Sequence, residues 1–201
     1  MLKVGLTGSI AVGKSYVCEV LRELGAFVLD ADQTARDVVA IGSKGLALIA
    51  EKFGEDFLLE SGELDRVKMG AVVFADEAKR LLLNSIVHPL VFEAQNEWLA
   101  ARESETPDGI AVIDAALMIE SGGYKRFTKL IVVWCAPAIQ LQRLMLRNNL
   151  SEAEALKRIN AQMPQEEKKR YADFLIDTSG GFENTKKQTT EVFEQLKLLG
   201  N

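Results

Sequence analysis

The chain of 201 residues carries 24 Lys and Arg against 29 Asp and Glu, a formal net charge of -5, with 48% hydrophobic and 26% charged residues. That balance excludes a disordered chain, and the acidic excess gives no support to broad electrostatic binding of nucleic acid. The length suits one domain, or a compact core with an inserted subdomain.

The apolar runs Ile110 to Ile113 and Leu130 to Cys135 have the length of strands and fall far short of a membrane span, so no membrane partner is expected. Met1 to Gly8 lacks the long apolar stretch of a signal peptide and enters structure at once. Cys18 and Cys135 are far apart in apolar contexts, and His88 is the one histidine, so neither a disulfide framework nor a structural zinc site is expected. A reducing, cytoplasmic location fits these features.

Leu2 to Leu6 reads as a buried strand, followed by a glycine-rich turn and a helix. In that helix Val17, Val20, Leu21 and Leu24 recur at i, i+3, i+4, i+7, the spacing of one buried face. Gly25 stops the helix, Ala26 to Leu29 forms a second strand, and Asp30-Ala31-Asp32 ends it and opens another helix. From Ser43 to Arg102 the pattern is almost entirely helical, with Leu46, Ile49 and Phe53 on one stripe and further stripes in Leu81 to Val87 and Val91 to Leu99. After the Thr106-Pro107-Asp108-Gly109 turn, strands return at Ile110 to Ile113 and Leu130 to Cys135. Pro137 opens the next helix, and Ser151 with Glu154 has capping-box spacing before a charged helical segment ending near Pro164. Phe174 to Ile176 is the last strand, and Val192, Leu196 and Leu199 give the closing helix its apolar face. Five short apolar strands alternating with helices predict an α/β sandwich around a parallel sheet, with an all-helical insertion. Ligands of such sheets bind beyond the carboxyl ends of the strands, where Thr7 to Lys14 and Asp30 to Asp32 both fall.

Gly8-Ser9-Ile10-Ala11-Val12-Gly13-Lys14-Ser15 satisfies G-x-x-x-x-G-K-[ST], directly between a strand and an amphipathic helix. Phosphate needs several converging donors; small residues let successive N–H groups turn inward, and the helix amino terminus adds its dipole. Gly8, Ser9, Ala11, Val12, Gly13, Lys14, Ser15 and the following Tyr16 are therefore the expected nucleotide-binding residues. Lys14 supplies a point charge between β- and γ-phosphates, and the Ser15 hydroxyl can ligate Mg²⁺.

The motif leaves the reaction open. Thr128-Lys129-Leu130-Ile131 and Thr185-Lys186-Lys187-Gln188 lack the aspartate of a guanine-reading segment, and Asp177-Thr178-Ser179-Gly180 comes too late for a switch loop. Asp114-Ala115 lacks the second carboxylate of a motor-type ATPase. A small-molecule kinase remains; it needs a carboxylate at the acceptor hydroxyl, an acceptor pocket and a mobile arginine-bearing cover. Asp30 and Asp32 meet the first need, one accepting or aiming the proton and the other orienting neighbours; helix capping is the plainer role for either. Arg143 and Arg147, at i and i+4, share a helix face roughly opposite Leu141 and Met145, and the polar segment Asn148 to Arg170 follows them. They are either catalytic guanidinium groups closing over the nucleotide or a solvated arginine face. His88 is read as a neutral, hydrogen-bonded side chain of the helical region, or as a contact to the acceptor's phosphate or ribose. Lys168-Lys169-Arg170 balances Glu166 and Glu167, and the cysteines fill the core.

With these residues in hand, the chain resembles the dephospho-coenzyme A kinase family over nearly its whole length. The resemblance runs in order through Leu6-Thr7-Gly8, Gly13-Lys14-Ser15, Asp30-Ala31-Asp32 with Ala35-Arg36, Leu83-Asn84, His88-Pro89, and Leu117-Met118-Ile119-Glu120. It continues through Gln142-Arg143 with Arg147, Arg158 with Gln162, and Ala172-Asp173-Phe174-Leu175-Ile176-Asp177. It implies a single P-loop kinase domain over 1–201 with strand order 2-3-1-4-5. Its nucleotide-binding core is 1–42, 106–137 and 171–201, with a helical coenzyme-A-binding subdomain at 43–105 and a lid at 138–170. It implies transfer of the γ-phosphoryl of ATP, with Mg²⁺, to the ribose 3′-hydroxyl of dephospho-coenzyme A. Asp32 is then the catalytic base, with Lys14 and Arg143 acting on the phosphates and Asp30 and His88 beside the acceptor. A monomer or weak oligomer is expected. The chain departs from the family at Ala116 for proline, Thr178 for asparagine, Tyr16 for threonine or serine, and Ala11 for glycine. Another P-loop nucleoside or nucleotide kinase, or a nucleotide switch that transfers nothing, is the competing reading.

Overall fold

The computed structural model describes residues 1–200. In chain order its elements are β1 (Leu2–Gly8), α1 (Lys14–Glu23), β2 (Phe27–Asp30), α2 (Ala31–Asp37), α3 (Lys44–Phe53), α4 (Arg66–Ala75) and α5 (Glu77–Glu105). Then come β3 (Ile110–Asp114), β4 (Lys129–Trp134), α6 (Pro137–Asn148), α7 (Glu152–Asn160), α8 (Gln165–Lys168), β5 (Phe174–Asp177) and α9 (Gly181–Gly200). They group into two compact units, Met1–Asp30 with the chain from Arg102 onward, and Ala31–Ala101.

The first unit holds the whole sheet. Its strands pair in the order β2-β3-β1-β4-β5, every pairing parallel, which is the expected α/β architecture. The middle strands of a parallel sheet are covered on both faces, so residues 110–113 of β3 and 130–134 of β4 read as continuous apolar runs, and β1 is buried at every position but Lys3. Val4, Leu6, Val112, Ile131 and Val133 join Val17 and Leu21 of α1 and Val192, Phe193 and Leu196 of α9 in one core. Each fully buried aliphatic side chain there contributes roughly 1.5–3 kcal/mol. Phe193 takes the place expected for Leu199, which lies in the last turn of α9 and is 52% exposed because the core no longer covers the helix there.

The second unit is helical around Val39, Leu46, Ile49, Phe57, Leu64, Met69 and Ile86. The Ser43 and Asp65 side chains start α3 and α4 by accepting the backbone N–H of Leu46 and Lys68, at 3.1 and 2.9 Å. The segment between them corrects the all-helical expectation. A 3₁₀ turn at Glu55–Phe57 leads into an antiparallel bridge between Leu58 and Leu64, which carries Phe57 and Leu64 into the same cluster. A second difference is α5, one 29-residue helix that runs through Pro89, although an interior proline costs about 3 kcal/mol. It buries Ile86, Val91, Gln95 and Leu99, leaving Leu81 exposed. Among the described residues no helix is long and apolar enough to cross a membrane.

Candidate active site

β1 ends at Gly8 and α1 begins at Lys14, so the loop leaves the carboxyl edge of the central strand and feeds a helix amino terminus. Two glycines are required for steric reasons. A Cβ at Gly8 would lie 2.5 Å from the Val133 carbonyl oxygen on β4. Gly13, the residue before α1, has φ +89°, and a Cβ there would meet Thr178 Oγ1 at 3.3 Å and Arg143 Nη1 at 3.5 Å. Ala11 also lies in the left-handed region at φ 62°, where an L-residue is strained by about 1–2 kcal/mol. Val12 is buried beneath the loop, and Ser15 is exposed in the first turn of α1. The Ser9 hydroxyl is buried with no hydrogen-bond partner among the described residues, the kind of atom a bound anion satisfies.

Lys14 reaches across the sheet edge. Its ammonium pairs with Asp114, the last residue of β3, whose second oxygen accepts a hydrogen bond from Cys18 Sγ at 3.4 Å. The Lys14 and Asp114 side chains are only 19% and 11% exposed, so water screens the pair weakly. Sequence reasoning used Asp114 only to note a missing second carboxylate. The signal available was a lone acid closing an apolar strand at the edge that carries the loop. Asp30 ends β2 in register with Asp114 and is exposed.

Burial pushes the Cys18 thiol far above its ordinary range, and the neighbouring Asp114 charge adds to the effect. The reactive thiolate is therefore suppressed through neutral and mildly alkaline pH, and Cys135 is raised by burial as well. Folded protein at pH 8 will leave both cysteines unlabelled by a disulfide reagent, with two equivalents reacting after denaturation. Fast labelling of native protein would contradict the placement of both.

The two arginines of α6 part company. Arg143 donates to Thr178 Oγ1 at 2.8 Å and to the Thr178 carbonyl at 2.9 Å, while Thr178 Oγ1 donates to the Val12 carbonyl at 2.6 Å. Thr178 thus joins Arg143 to the phosphate loop. With Gly13, Tyr16, Gly181, Phe182 and Thr185 they line a pocket of about 230 Å³, where Tyr16 and Phe182 meet edge to face at 4.7 Å. Arg147 is exposed and bonds the adjacent Asn148 through Nε at 3.0 Å. The buried face of α6 runs through Gln140 and Leu144, with Leu141 and Met145 only half-buried, which corrects the expected stripe.

Lys168 also departs from expectation. It is fully buried, with Nζ 2.8 Å from both the Ala116 carbonyl and Glu120 Oε1, and the Ala116 carbonyl also accepts from Thr7 Oγ1 at 3.2 Å. Charge balancing describes Lys169, which pairs with Glu166 at 2.7 Å, but not Lys168.

In the helical unit, Asp32 is exposed in the first turn of α2, where a carboxylate favours the helix dipole. His88 is exposed on α5 with its ring 6.1 Å from that of Phe92. The sheet unit therefore brings together Gly8, Gly13, Lys14, Ser15, Arg143 and Asp30 at one strand edge, while Arg147 turns aside. Asp32 and His88 belong to the other unit.

Among the described residues no three acidic, histidine or cysteine side chains form a metal cage. The donors near the loop are oxygens, the Ser15 hydroxyl and the Asp114 carboxylate. This hard, sparse set suits a Mg²⁺ ion that keeps most of its other ligands from water and phosphate.

The family model described as dephospho-CoA kinase matches residues 2–184. The chain is 44% identical over 197 residues to a dephospho-CoA kinase of Bacillus licheniformis, covering 96% of each protein. It is also 44% identical over 194 residues to that of Listeria innocua, again covering 96% of each. Among solved structures it resembles the dephospho-CoA kinase of Campylobacter jejuni at TM-score 0.72 and 26% identity, covering 97% of this chain and 96% of that one. A shikimate kinase of Bacteroides thetaiotaomicron shares the fold alone, at TM-score 0.51 and 14% identity over 98% of each chain.

Proposed function

The chain belongs to the dephospho-CoA kinase family and phosphorylates dephospho-CoA with ATP in coenzyme A biosynthesis; on that premise we propose how its residues divide the work. The observation that carries the assignment of roles is the loop from Gly8 to Ser15, set between β1 and α1 with Lys14 drawn to the carboxyl edge of the sheet by Asp114.

The amides of the loop and the α1 amino terminus hold the triphosphate, and Lys14 exchanges part of its pairing with Asp114 for the β- and γ-phosphate oxygens. Arg143, tied to Thr178 at the loop's flank, offers its remaining N–H groups to the transferring phosphoryl. The pocket walled by Tyr16, Thr178 and Phe182 accepts the flat, largely apolar faces of the base. Asp32 takes the proton of the ribose 3′-hydroxyl as that oxygen bonds to the γ-phosphorus; the bond from γ-phosphorus to the β,γ-bridging oxygen breaks, and ADP leaves with the electron pair. Asp30 orients groups around this exchange. His88 contacts the acceptor from the helical subdomain, 43–105, and residues 138–170, bearing Arg147, cover the nucleotide and exclude water. Ser15 and Asp114 would hold Mg²⁺, which neutralises charge on the phosphates.

A coupled assay of ADP release tests this. Turnover is expected with dephospho-CoA and not with AMP, CMP, shikimate or no acceptor. ADP release without an acceptor would instead support a nucleotide switch, and turnover with AMP or CMP another nucleotide kinase.

A further inference from the structure

The Ile10 peptide, at the tip of the phosphate loop, is held at both ends by side chains far away in sequence. Its N–H donates to Gln162 Oε1 at 2.8 Å, and its carbonyl accepts from Gln140 Nε2 at 2.8 Å. The grip is itself anchored. Gln140 is 2% exposed and its Oε1 accepts from Gln165 Nε2 at 2.8 Å, while Gln165 Oε1 accepts the backbone N–H of Cys135 at 3.1 Å, just beyond β4. Two glutamine amides, Gln140 and Gln165, thus connect the Ile10 carbonyl to the main chain just beyond β4, while Gln162 holds the Ile10 N–H from the other side. The next residue is Ala11, held at φ 62° without the freedom of glycine. A strained residue keeps such a conformation only where its surroundings over-determine it, and nothing in the Ala11 side chain can do so.

We propose that Gln162 and Gln140 are positioning residues of the phosphate loop, gripping the Ile10 peptide so that Ala11 stays left-handed and the following amides keep facing inward. The Ile10 N–H is spent on Gln162 and the Val12 N–H turns to the Ser9 carbonyl at 3.4 Å, so the clamp leaves the amides of Ala11, Gly13, Lys14 and Ser15 for the ligand. It also makes the segment expected to cover the nucleotide a part of the loop's framework, since Gln140 and Gln162 both come from it. The effect on ATP rests on the reading of the loop as a triphosphate cradle; the effect on the loop's own conformation does not.

The test is Gln162→Met, which keeps the length and loses the acceptor, made in the wild-type chain and in an Ala11→Gly background. Hydrogen exchange followed by NMR will show the Ile10 amide exchanging about tenfold faster or more in Gln162→Met, the size of one lost net hydrogen bond. The KM for ATP will rise about tenfold, with much smaller changes in kcat and in the KM for dephospho-CoA. In the Ala11→Gly background most of that rise will vanish, because glycine holds the left-handed conformation unaided. A merely structural glutamine would lower the melting temperature equally in both backgrounds and move both KM values. Unchanged Ile10 exchange, or an equal ATP penalty in both backgrounds, overturns the proposal. Lys14→Ala run alongside separates the two failures: intact ATP binding in that variant sinks the cradle itself, whereas a Lys14→Ala defect beside a normal Gln162→Met sinks only the clamp.

Discussion

Asp32→Asn will lower kcat at least about 100-fold, the contribution of a general base, while the KM for ATP stays within about threefold. Asparagine matches aspartate in shape and can still hold a hydroxyl by a hydrogen bond, so the substitution removes proton acceptance and little else. The competing role is local. Asp32 sits in the first turn of α2, where a negative charge contributes typically 0.3–1 kcal/mol through the helix dipole. Loss of that term shifts the melting temperature slightly and cannot cost two orders of magnitude in rate. Steady-state kinetics with both substrates varied, beside a thermal melt, distinguishes the roles. A near-normal kcat with a lowered melting temperature would reduce Asp32 to a helix-terminus residue.

Lys14→Ala will act on two quantities at once. Transfer loses the ammonium that meets the charge developing on the phosphates, a loss of about 10²–10³ in kcat/KM for ATP. Stability falls too, because Asp114, 11% exposed at the end of β3, is left with an uncompensated charge; breaking such a pair from one side costs roughly 3 kcal/mol. The second effect is correctable. In the Lys14→Ala/Asp114→Asn pair no charge is stranded, so the melting temperature will recover most of its loss while ATP turnover stays low. Urea unfolding of the four proteins of this cycle reads the stability effect, and ADP release by Lys14→Ala alone reads the effect on transfer, because Asp114→Asn also removes a proposed Mg²⁺ ligand. Recovery of turnover in the double variant would show that Lys14 serves the fold and not the phosphates.

The phosphate loop was legible because its chemistry demands particular residue types at fixed spacing between a strand and a helix, all within eight consecutive residues. Asp30-Ala31-Asp32 was legible for a similar reason, lying where a strand turns into a helix. What sequence did not disclose are partners brought together by the sheet. Lys14 finds Asp114 across 100 positions, Lys168 finds Ala116 across 52, and Gln140 finds Ile10 across 130. A run such as Glu166-Glu167-Lys168-Lys169-Arg170 looks uniformly solvated on paper. Whether its middle lysine is buried depends on where Glu120 is carried by the loop after β3. Helical spacing puts Arg143 and Arg147 on one face of α6. Spacing could not tell that only the first faces Thr178.

The order of the strands has a consequence for how the molecule is born. Among the described residues β1 pairs as a strand with β3 and β4 alone, neither of which begins before Ile110, and β2 with β3 alone. On the ribosome, β1 and the loop after it emerge before either partner strand and wait while the whole of Ala31–Ala101, a contiguous unit, is made. Such distant pairings close slowly and leave apolar edges open in the meantime. The loop between β1 and α1 is therefore made well before its surroundings and is among the last parts to take shape.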